Sequence, residues 1–164
     1  MPKKLAHFVY RTPLGRLTIA ADGEAITRVL FGEQEAPGQL SPTALTNEAA
    51  TQIQQYLAGR RRSFDLPLNP AGTPFQQSVW RALQGIPYGT TWTYAQLAEA
   101  VGNPKAFRAV GGANNRNPLP ILIPCHRVVG ADGSLVGYAS GVHIKRFLLD
   151  LEAKALAADA AAEA

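Results

Sequence analysis

Thr93–Ala113 reads TYAQLAEAVGNPKAFRAVGGA, and this stretch decides the fold of the second half of the chain. It opens on a helix-capping signature, a threonine followed three residues later by glutamine, which predicts a short helix through Ala100. Gly102 closes that helix, and a second one is expected from Asn103 onward, carrying Lys105 and Arg108. Two short helices joined by a tight turn form a helix-turn-helix, although such pairs also occur as plain packing units.

Helices are predicted on both sides of this pair. Thr73-Pro74-Phe75-Gln76 is another capping signature, with proline at the first helical position and Gly85 ending the helix. Its buried stripe is expected to consist of Phe75, Val79 and Leu83. A last helix is predicted from Val142 to about Ala153, and four of its residues are expected to face inward: Ile144, Phe147, Leu148 and Leu151.

The first half of the chain has a different pattern. Three strands are predicted at Phe8–Tyr10, Leu17–Ala20 and Ile26–Phe31, with a hairpin turn at Asp22-Gly23, so an antiparallel meander is expected. A helix from Pro42 to Ala58, capped by Ser41, completes a small α/β unit. The proline-broken segment 64–70 is interpreted as a linker. We therefore expect an N-terminal domain over residues 1–72, a second domain over 73–152, and an alanine-rich tail over 153–164.

Composition restricts the classes of protein that this chain can represent. Its 164 residues are 46% hydrophobic and carry a formal net charge of +4, which suits a polyanionic partner but is also common as an aid to solubility. The run Arg60-Arg61-Arg62 could touch phosphate or form a solvated turn. The N-terminus has no apolar segment of the length of a signal peptide or membrane span, so a cytoplasmic protein is expected.

One cysteine excludes an internal disulfide, and the three histidines do not lie at metal-site spacing. We expect no metal and no cofactor. The single thiol, Cys125, lies in Ile121–Val129, ILIPCHRVV, between an apolar and a basic run. Histidine and arginine neighbours favour a nucleophile there, whereas the alternative is a buried small hydrophobe. Lys105 and Arg108 beside small residues suit close approach to a sugar-phosphate backbone or, alternatively, tight helix packing.

Several motifs together resemble one family. The motif PCHRVV at 124–129 is preceded, in order, by NPKA at 103–106, RAVGGA at 108–113, NP at 117–118 and ILI at 121–123. This arrangement resembles the methylated-DNA–protein-cysteine methyltransferases, also called O6-alkylguanine-DNA alkyltransferases, over residues 73–152. The resemblance implies a ribonuclease-H-like α/β N-terminal unit of antiparallel strands plus a helix, followed by a mainly helical, winged helix-turn-helix-like domain.

The resemblance also implies a mechanism of DNA repair by direct reversal. The family binds duplex DNA, rotates the damaged guanine out of the stack, and transfers its alkyl group irreversibly to a cysteine, one lesion per molecule. Carried over, Cys125 would be the acceptor and His126 would deprotonate it through a water. Glu152 would orient His126, and Asn117 would support the turn that holds the thiol.

Further roles are implied for residues around the thiol. Tyr94 would help to extrude the nucleotide and would donate a proton to the departing guanine, and Arg108 would fill the vacated space in the stack. The other residues implied to contact DNA are Lys105, Ala109, Gly111 and Gly112. Partners are expected to be duplex DNA containing O6-alkylguanine, with no obligate protein partner, so a monomer is expected.

The guanine pocket is implied to involve Tyr138, Ala139 and Ser140. Some relatives have serine where Ala139 stands, which leaves the range of accepted alkyl groups open. The main-chain carbonyls of Cys125 and Val128 are candidate acceptors for the guanine amino group.

Two other functional classes stay open from the sequence. One is a protein that binds alkylated guanine or acts as a helix-turn-helix regulator without accepting the alkyl group. The other is a cysteine hydrolase that turns over a small acyl substrate many times. The mass of the protein after incubation with methylated DNA would discriminate these classes.

Overall fold

The computed structural model describes residues 4–135, 138 and 141–163. The chain divides into two compact units: an N-terminal unit of Met1–Ala71 with Pro118–Leu122, and a C-terminal unit of Gly72–Asn117 with Ile123–Ala164. The segment 118–122 joins the N-terminal unit through the Val29 amide, which donates to the Pro118 carbonyl at 2.9 Å.

A four-stranded sheet forms the frame of the N-terminal unit. Its strands, in the spatial order β3-β2-β1-β4, are β1 (Ala6–Thr12), β2 (Gly15–Ala21), β3 (Ile26–Phe31) and β4 (Gln39–Leu40). The first three pair antiparallel, which confirms the predicted meander. β4 was not predicted, and it pairs parallel with β1. Two residues are too short to carry an alternating pattern, so only the tertiary contact defines this strand.

The helix of this unit, α1 (Ala44–Leu57), packs against the sheet. It begins two residues later than predicted, and the expected cap at Ser41 is wrong. Thr43 is the cap: its hydroxyl accepts from the Thr46 amide, while the Thr46 hydroxyl accepts from the Thr43 amide. This reciprocal pair satisfies two backbone donors at the helix start. Ile53 and Tyr56 are fully buried on the inner face of α1.

The C-terminal unit is mainly helical. Its helices are α2 (Pro74–Leu83), α3 (Tyr94–Val101), α4 (Phe107–Asn115) and α5 (Val142–Glu163), with a short 3-10 turn at Cys125–Arg127. Two short strands, β5 (Trp92–Thr93) and β6 (Val128–Val129), pair in parallel. The capping boxes predicted at Thr73 and Thr93 are confirmed. On α2, Val79 and Leu83 are buried as expected, but Phe75 is exposed and Trp80 is buried instead.

The predicted helix pair is present as α3 and α4. Gly102 ends α3 with φ of 89°, a left-handed conformation that favours glycine. The second helix starts later than predicted, because the Ala106 amide donates to the Asn103 carbonyl and closes a turn there. Lys105 therefore lies in the turn rather than on the helix. The Trp80 indole N–H donates to the Ala113 carbonyl at 2.9 Å and ties α2 to α4.

The last helix, α5, runs about ten residues beyond its predicted end. Ile144 and Leu148 are buried as expected, whereas the prediction for Phe147 is wrong, since its side chain is exposed. Two polar residues of α5, Lys145 and Glu152, are also buried. Lys145 was not expected on the inner face, whereas the resemblance implied a place for Glu152 beside His126. In the described residues, no helix is both long and apolar enough to cross a membrane.

Candidate active site

Cys125 opens the 3-10 turn of the C-terminal unit, directly after Pro124. Its amide donates to the Ile123 carbonyl at 2.8 Å, and the Asn117 side-chain amide donates to the same carbonyl at 2.9 Å. The Cys125 side chain is buried, with 4% of the residue exposed. The turn thus holds the thiol on a backbone fixed by hydrogen bonds on its N-terminal side.

The electrostatic surroundings of the thiol are mixed. Burial raises the pKa of Cys125 to about 11, while a hydrogen bond from Asn117 and the charge of Lys145 oppose that rise. Burial also raises the pKa of Tyr94 and Tyr138, and a negative charge on Cys125 raises each further. The two phenols therefore stay protonated at neutral pH and lie within electrostatic reach of the sulfur. The resting thiol is neutral, and it lies near a hydrogen-bond donor, Asn117, and a positive charge, Lys145.

His126, Arg127 and Glu152 form a buried network beside the thiol. The Glu152 carboxylate accepts from the His126 ring nitrogen Nε2 at 2.8 Å and from Arg127 Nε at 2.9 Å and Nη2 at 3.0 Å. It also accepts from the Gly89 amide at 2.8 Å. Arg127 Nη1 donates to the Ile86 carbonyl at 2.8 Å. A buried carboxylate is thereby matched by a buried guanidinium, which is the condition under which such charges are tolerated.

The contact with Glu152 also sets the tautomer of His126. A carboxylate only accepts hydrogen bonds, so Nε2 carries the proton and Nδ1 is the basic nitrogen of the neutral ring. Burial lowers the pKa of His126, although the Glu152 hydrogen bond and charge oppose that effect. His126 is therefore neutral at pH 7 and has its basic nitrogen on the side away from Glu152.

Two main-chain carbonyls at the turn already have donors. The Cys125 carbonyl accepts from the Val128 amide and, at 3.4 Å, from the Asn114 side chain. The Val128 carbonyl accepts from the Lys145 ammonium. A carbonyl oxygen has two lone pairs, so the Val128 oxygen retains capacity for a second donor. Both candidate acceptors named from the sequence therefore already have protein donors.

The helix pair presents the residues expected to contact DNA. Arg108 and Ala109 are exposed on the first turn of α4, and Lys105 is exposed in the turn before it. Gly111 and Gly112 are half-buried on the same helix. Tyr94 is half-buried at the start of α3, and a Cβ on Gly111 would lie 3.6 Å from its ring. The Tyr94 ring thus lies next to Gly111 of α4.

The pocket residues are only partly described. Tyr138 is buried, and Ala139 and Ser140 lie outside the described residues. No group of three or more histidine, cysteine, aspartate or glutamate side chains in the described ranges could hold a metal ion.

Both units match one family along the sequence. Residues 5–70 match the "6-O-methylguanine DNA methyltransferase, ribonuclease-like domain", and residues 74–154 match the "6-O-methylguanine DNA methyltransferase, DNA binding domain". The chain belongs to this family. The resemblance found in the sequence is confirmed, and so is the expected fold class, a ribonuclease-like α/β unit followed by a helical DNA-binding domain.

Curated relatives of the 6-O-methylguanine DNA methyltransferase family match over nearly their full length. A methylated-DNA–protein-cysteine methyltransferase of Methanosarcina acetivorans is 49% identical over 149 residues, which cover 88% of this chain and 96% of the relative. The constitutive enzyme of Bacillus subtilis is 49% identical over 150 residues, covering 86% and 91%. The chain is therefore a methyltransferase of this class.

Solved structures agree with this assignment. The Mycobacterium tuberculosis OGT in complex with DNA superposes with a TM-score of 0.85 at 40% identity, covering 92% of this chain and 94% of that one. The O6-methylguanine-DNA methyltransferase of Pyrococcus kodakaraensis gives a TM-score of 0.54 at 26% identity, covering 90% and 98%.

Two residues of the site were missed by the sequence reasoning. Lys145 supplies a positive charge near Cys125, and Asn114 donates to the Cys125 carbonyl. Arg127 was noted as a cationic neighbour of the thiol, but its pairing with Glu152 was not predicted. A signal for Lys145 was present, since it stands seven residues before Glu152 and so on the same face of α5. A lysine within an apolar helix stripe indicates a buried partner.

Proposed function

We propose that this methyltransferase repairs duplex DNA by transferring the alkyl group of O6-alkylguanine to Cys125, irreversibly and once per molecule, after the damaged nucleotide has rotated out of the helix. The observation that carries the proposal is the pairing of one buried thiol with a neutral histidine held by a buried carboxylate. This arrangement supplies a nucleophile and a base at adjacent positions of one turn.

The chemistry is a displacement at the alkyl carbon. Sulfur forms a bond to that carbon, the bond between carbon and O6 breaks, and the electron pair leaves with the guanine. The thiol proton passes to Nδ1 of His126 through a water, and the guanine takes a proton from Tyr94. Proton transfers of this kind contribute about 10²–10⁴-fold to a rate.

A base is needed because the resting thiol is weakly acidic. With a pKa of about 11, roughly one molecule in 10⁴ carries a thiolate at pH 7. His126 accepts the proton as the reaction proceeds, Glu152 stabilises the resulting imidazolium, and Lys145 stabilises negative charge on sulfur. Asn117 acts as the positioning residue of the turn.

Extrusion of the nucleotide is assigned to the helix pair. Unstacking a base costs a few kcal/mol, and less for a mispaired one. Arg108 fills the vacated space and offsets part of this cost, while Tyr94 turns the nucleotide outward. Lys105 contacts a phosphate, and the small residues Ala109, Gly111 and Gly112 let the backbone of α4 approach the sugar-phosphate chain. The similarity to the M. tuberculosis OGT in complex with DNA supports DNA as the partner.

The pocket holds the guanine by its edge. The Val128 carbonyl accepts from the exocyclic amino group, with the Cys125 carbonyl as the second acceptor, and Tyr138 encloses the base. The resemblance also assigns Ala139 and Ser140, which lie outside the described residues, to this pocket. The product is a thioether that none of these groups can cleave, so the transfer is irreversible. The proposed reaction uses no cofactor, and we place the protein in the cytoplasm as a monomer.

Mass spectrometry after incubation with a duplex containing one O6-methylguanine tests the proposal. The expected result is a gain of one CH₂, located on Cys125, with product that never exceeds the amount of protein. Unchanged mass with retained DNA binding would mean recognition without transfer, and product in excess of protein would mean turnover. Either outcome would overturn the proposal. Cys125→Ala should bind the duplex and gain no mass.

A further inference from the structure

The turn that follows α1 carries three consecutive arginines, Arg60, Arg61 and Arg62. Together with Gln55 and Ser63 they line an open cavity of about 480 Å³ on the surface of the N-terminal unit. None of these lining residues is acidic. None of them has a part in the proposed alkyl transfer, so this cavity is a separate feature of the molecule.

The arginine side chains are not needed to cap the helix. The last carbonyls of α1 accept from backbone amides: Ala58 donates to Gln54, Gly59 to Tyr56, and Arg60 to Gln55, at 2.9–3.0 Å. Gly59 permits this arrangement with φ of 77°. Backbone amides therefore fill these carbonyls, and the guanidinium groups of Arg60 and Arg61 are not used to cap the helix.

Arg61 is held in a fixed orientation on the cavity wall. Its Nε donates to the Gln55 side-chain oxygen at 2.8 Å, and its Nη1 donates to the Ser63 carbonyl at 3.1 Å. Within the described ranges, Nη2 of Arg61 and the guanidinium of Arg60 have no protein partner. A guanidinium held by two neutral acceptors keeps its full charge and is already oriented for a ligand.

Charge and shape together define the ligand class. The side chains of Arg60 and Arg61 both line this cavity, and an anion bound there relieves the repulsion between their charges. Arginine binds phosphate oxygens through two parallel hydrogen bonds. We propose that this cavity binds phosphate groups of the DNA backbone, giving the N-terminal unit a DNA contact of its own. The choice of DNA over a free anion rests on the proposed function, because DNA is then the polyanion that the protein meets.

Salt dependence of binding to undamaged duplex tests this contact in the full-length protein. Arg60→Gln and Arg61→Gln, singly and together, keep polar side chains while removing charge. Each lost phosphate contact should lower the slope of log K against log[salt] by about 0.9 and weaken binding roughly tenfold at 0.1 M salt. In the double variant, the reduction of the slope should be about twice as large.

Arg28→Gln is the matched control, since Arg28 is an exposed arginine on β3 of the same unit. Its slope should equal that of the unmodified protein. Methyl transfer from O6-methylguanine as the free base should be unchanged in all variants, which excludes misfolding. An unchanged slope in the double variant, or an equal loss in the control, would overturn the inference.

Titration with inorganic phosphate at constant ionic strength distinguishes the source of the anion. Saturable phosphate binding that depends on Arg61, together with an unchanged DNA slope, would identify a free-anion site and reject the DNA contact. The two proposals fail separately. If the protein gains no methyl group but the double variant has a smaller salt slope, the proposed function fails and the DNA contact stands. If the protein is methylated but the double variant has an unchanged slope, the DNA contact fails and the proposed function stands.

Discussion

Replacing Glu152 with glutamine removes one negative charge from the buried network with almost no change in shape. The carboxylate accepts from Gly89, His126 and both Nε and Nη2 of Arg127. The amide of glutamine can be placed in two orientations. In each of them its NH₂ group, which only donates, would face N–H groups that now donate to the carboxylate. Leaving the buried Arg127 without its counter-charge should cost about 3–5 kcal/mol, which corresponds to a fall in Tm of roughly 6–20 °C for a chain of this size.

The same substitution should slow the chemistry more than the loss of stability explains. When its NH₂ faces His126, glutamine favours the tautomer with the proton on Nδ1, and that tautomer cannot accept the thiol proton. When its oxygen faces His126, the imidazolium that forms during the reaction loses the negative charge that stabilises it. We expect the single-turnover rate to fall about 10²–10⁴-fold, the range of one general base or of a wrong histidine tautomer. Rapid quench with a methylated duplex, well below the Tm of the variant, measures this rate.

Asp150→Asn provides the control, because it removes the same charge from an exposed position on the same helix. Its Tm and rate should match those of the unmodified protein. Duplex affinity should be equal in all three proteins, which separates chemistry from binding. If the Glu152→Gln variant transferred the methyl group at the rate of the unmodified protein, the proposed role of the buried carboxylate would be refuted.

Three further outcomes are expected. Burial raises the pKa of Cys125 from 9.0 to about 11. The contribution of the protonated thiol to the stability of the fold is therefore complete below pH 9 and is lost as the pH rises through 11. Chemical denaturation should show the stability difference between unmodified protein and Cys125→Ala falling by about 3 kcal/mol over that range. Lys145→Met should raise the thiol pKa further and move the alkaline rise of a pH–rate profile to higher pH, whereas exposed Lys154→Met should not. Arg108→Ala should slow repair in duplex more than in single strands, and equal losses in a kinetic comparison would contradict its extrusion role.

Helix starts fixed by local hydrogen bonds were the most predictable part of the fold. Thr73 and Thr93 each cap a helix and each have glutamine three residues later, so the sequence alone carries the interaction. The cap of α1 was missed because Thr46 takes the place of that glutamine. Its hydroxyl reaches the same amide, but threonine at that position is not a recognised signature.

Elements that depend on distant partners were not predictable in the same way. β4 exists because two residues lie beside β1, and nothing in their own pattern indicates a strand. Phe147 fits the apolar stripe of α5 but is exposed, while Lys145 and Glu152 are buried. Periodicity places apolar residues on a face, yet it cannot identify a polar residue whose partner is far along the chain.

The chemistry explains why those partners lie far apart in sequence. The proposed nucleophile and base, Cys125 and His126, are adjacent in sequence, and so they were visible in one motif. Their charges are controlled from α5, by Lys145 toward the sulfur and by Glu152 toward the imidazole. For the single-use thiol that we propose, protonation at rest is an advantage, because alkylation and oxidation both require thiolate. The side chains that set the electrostatics of Cys125 and His126 therefore come from a helix far along the chain rather than from the motif itself.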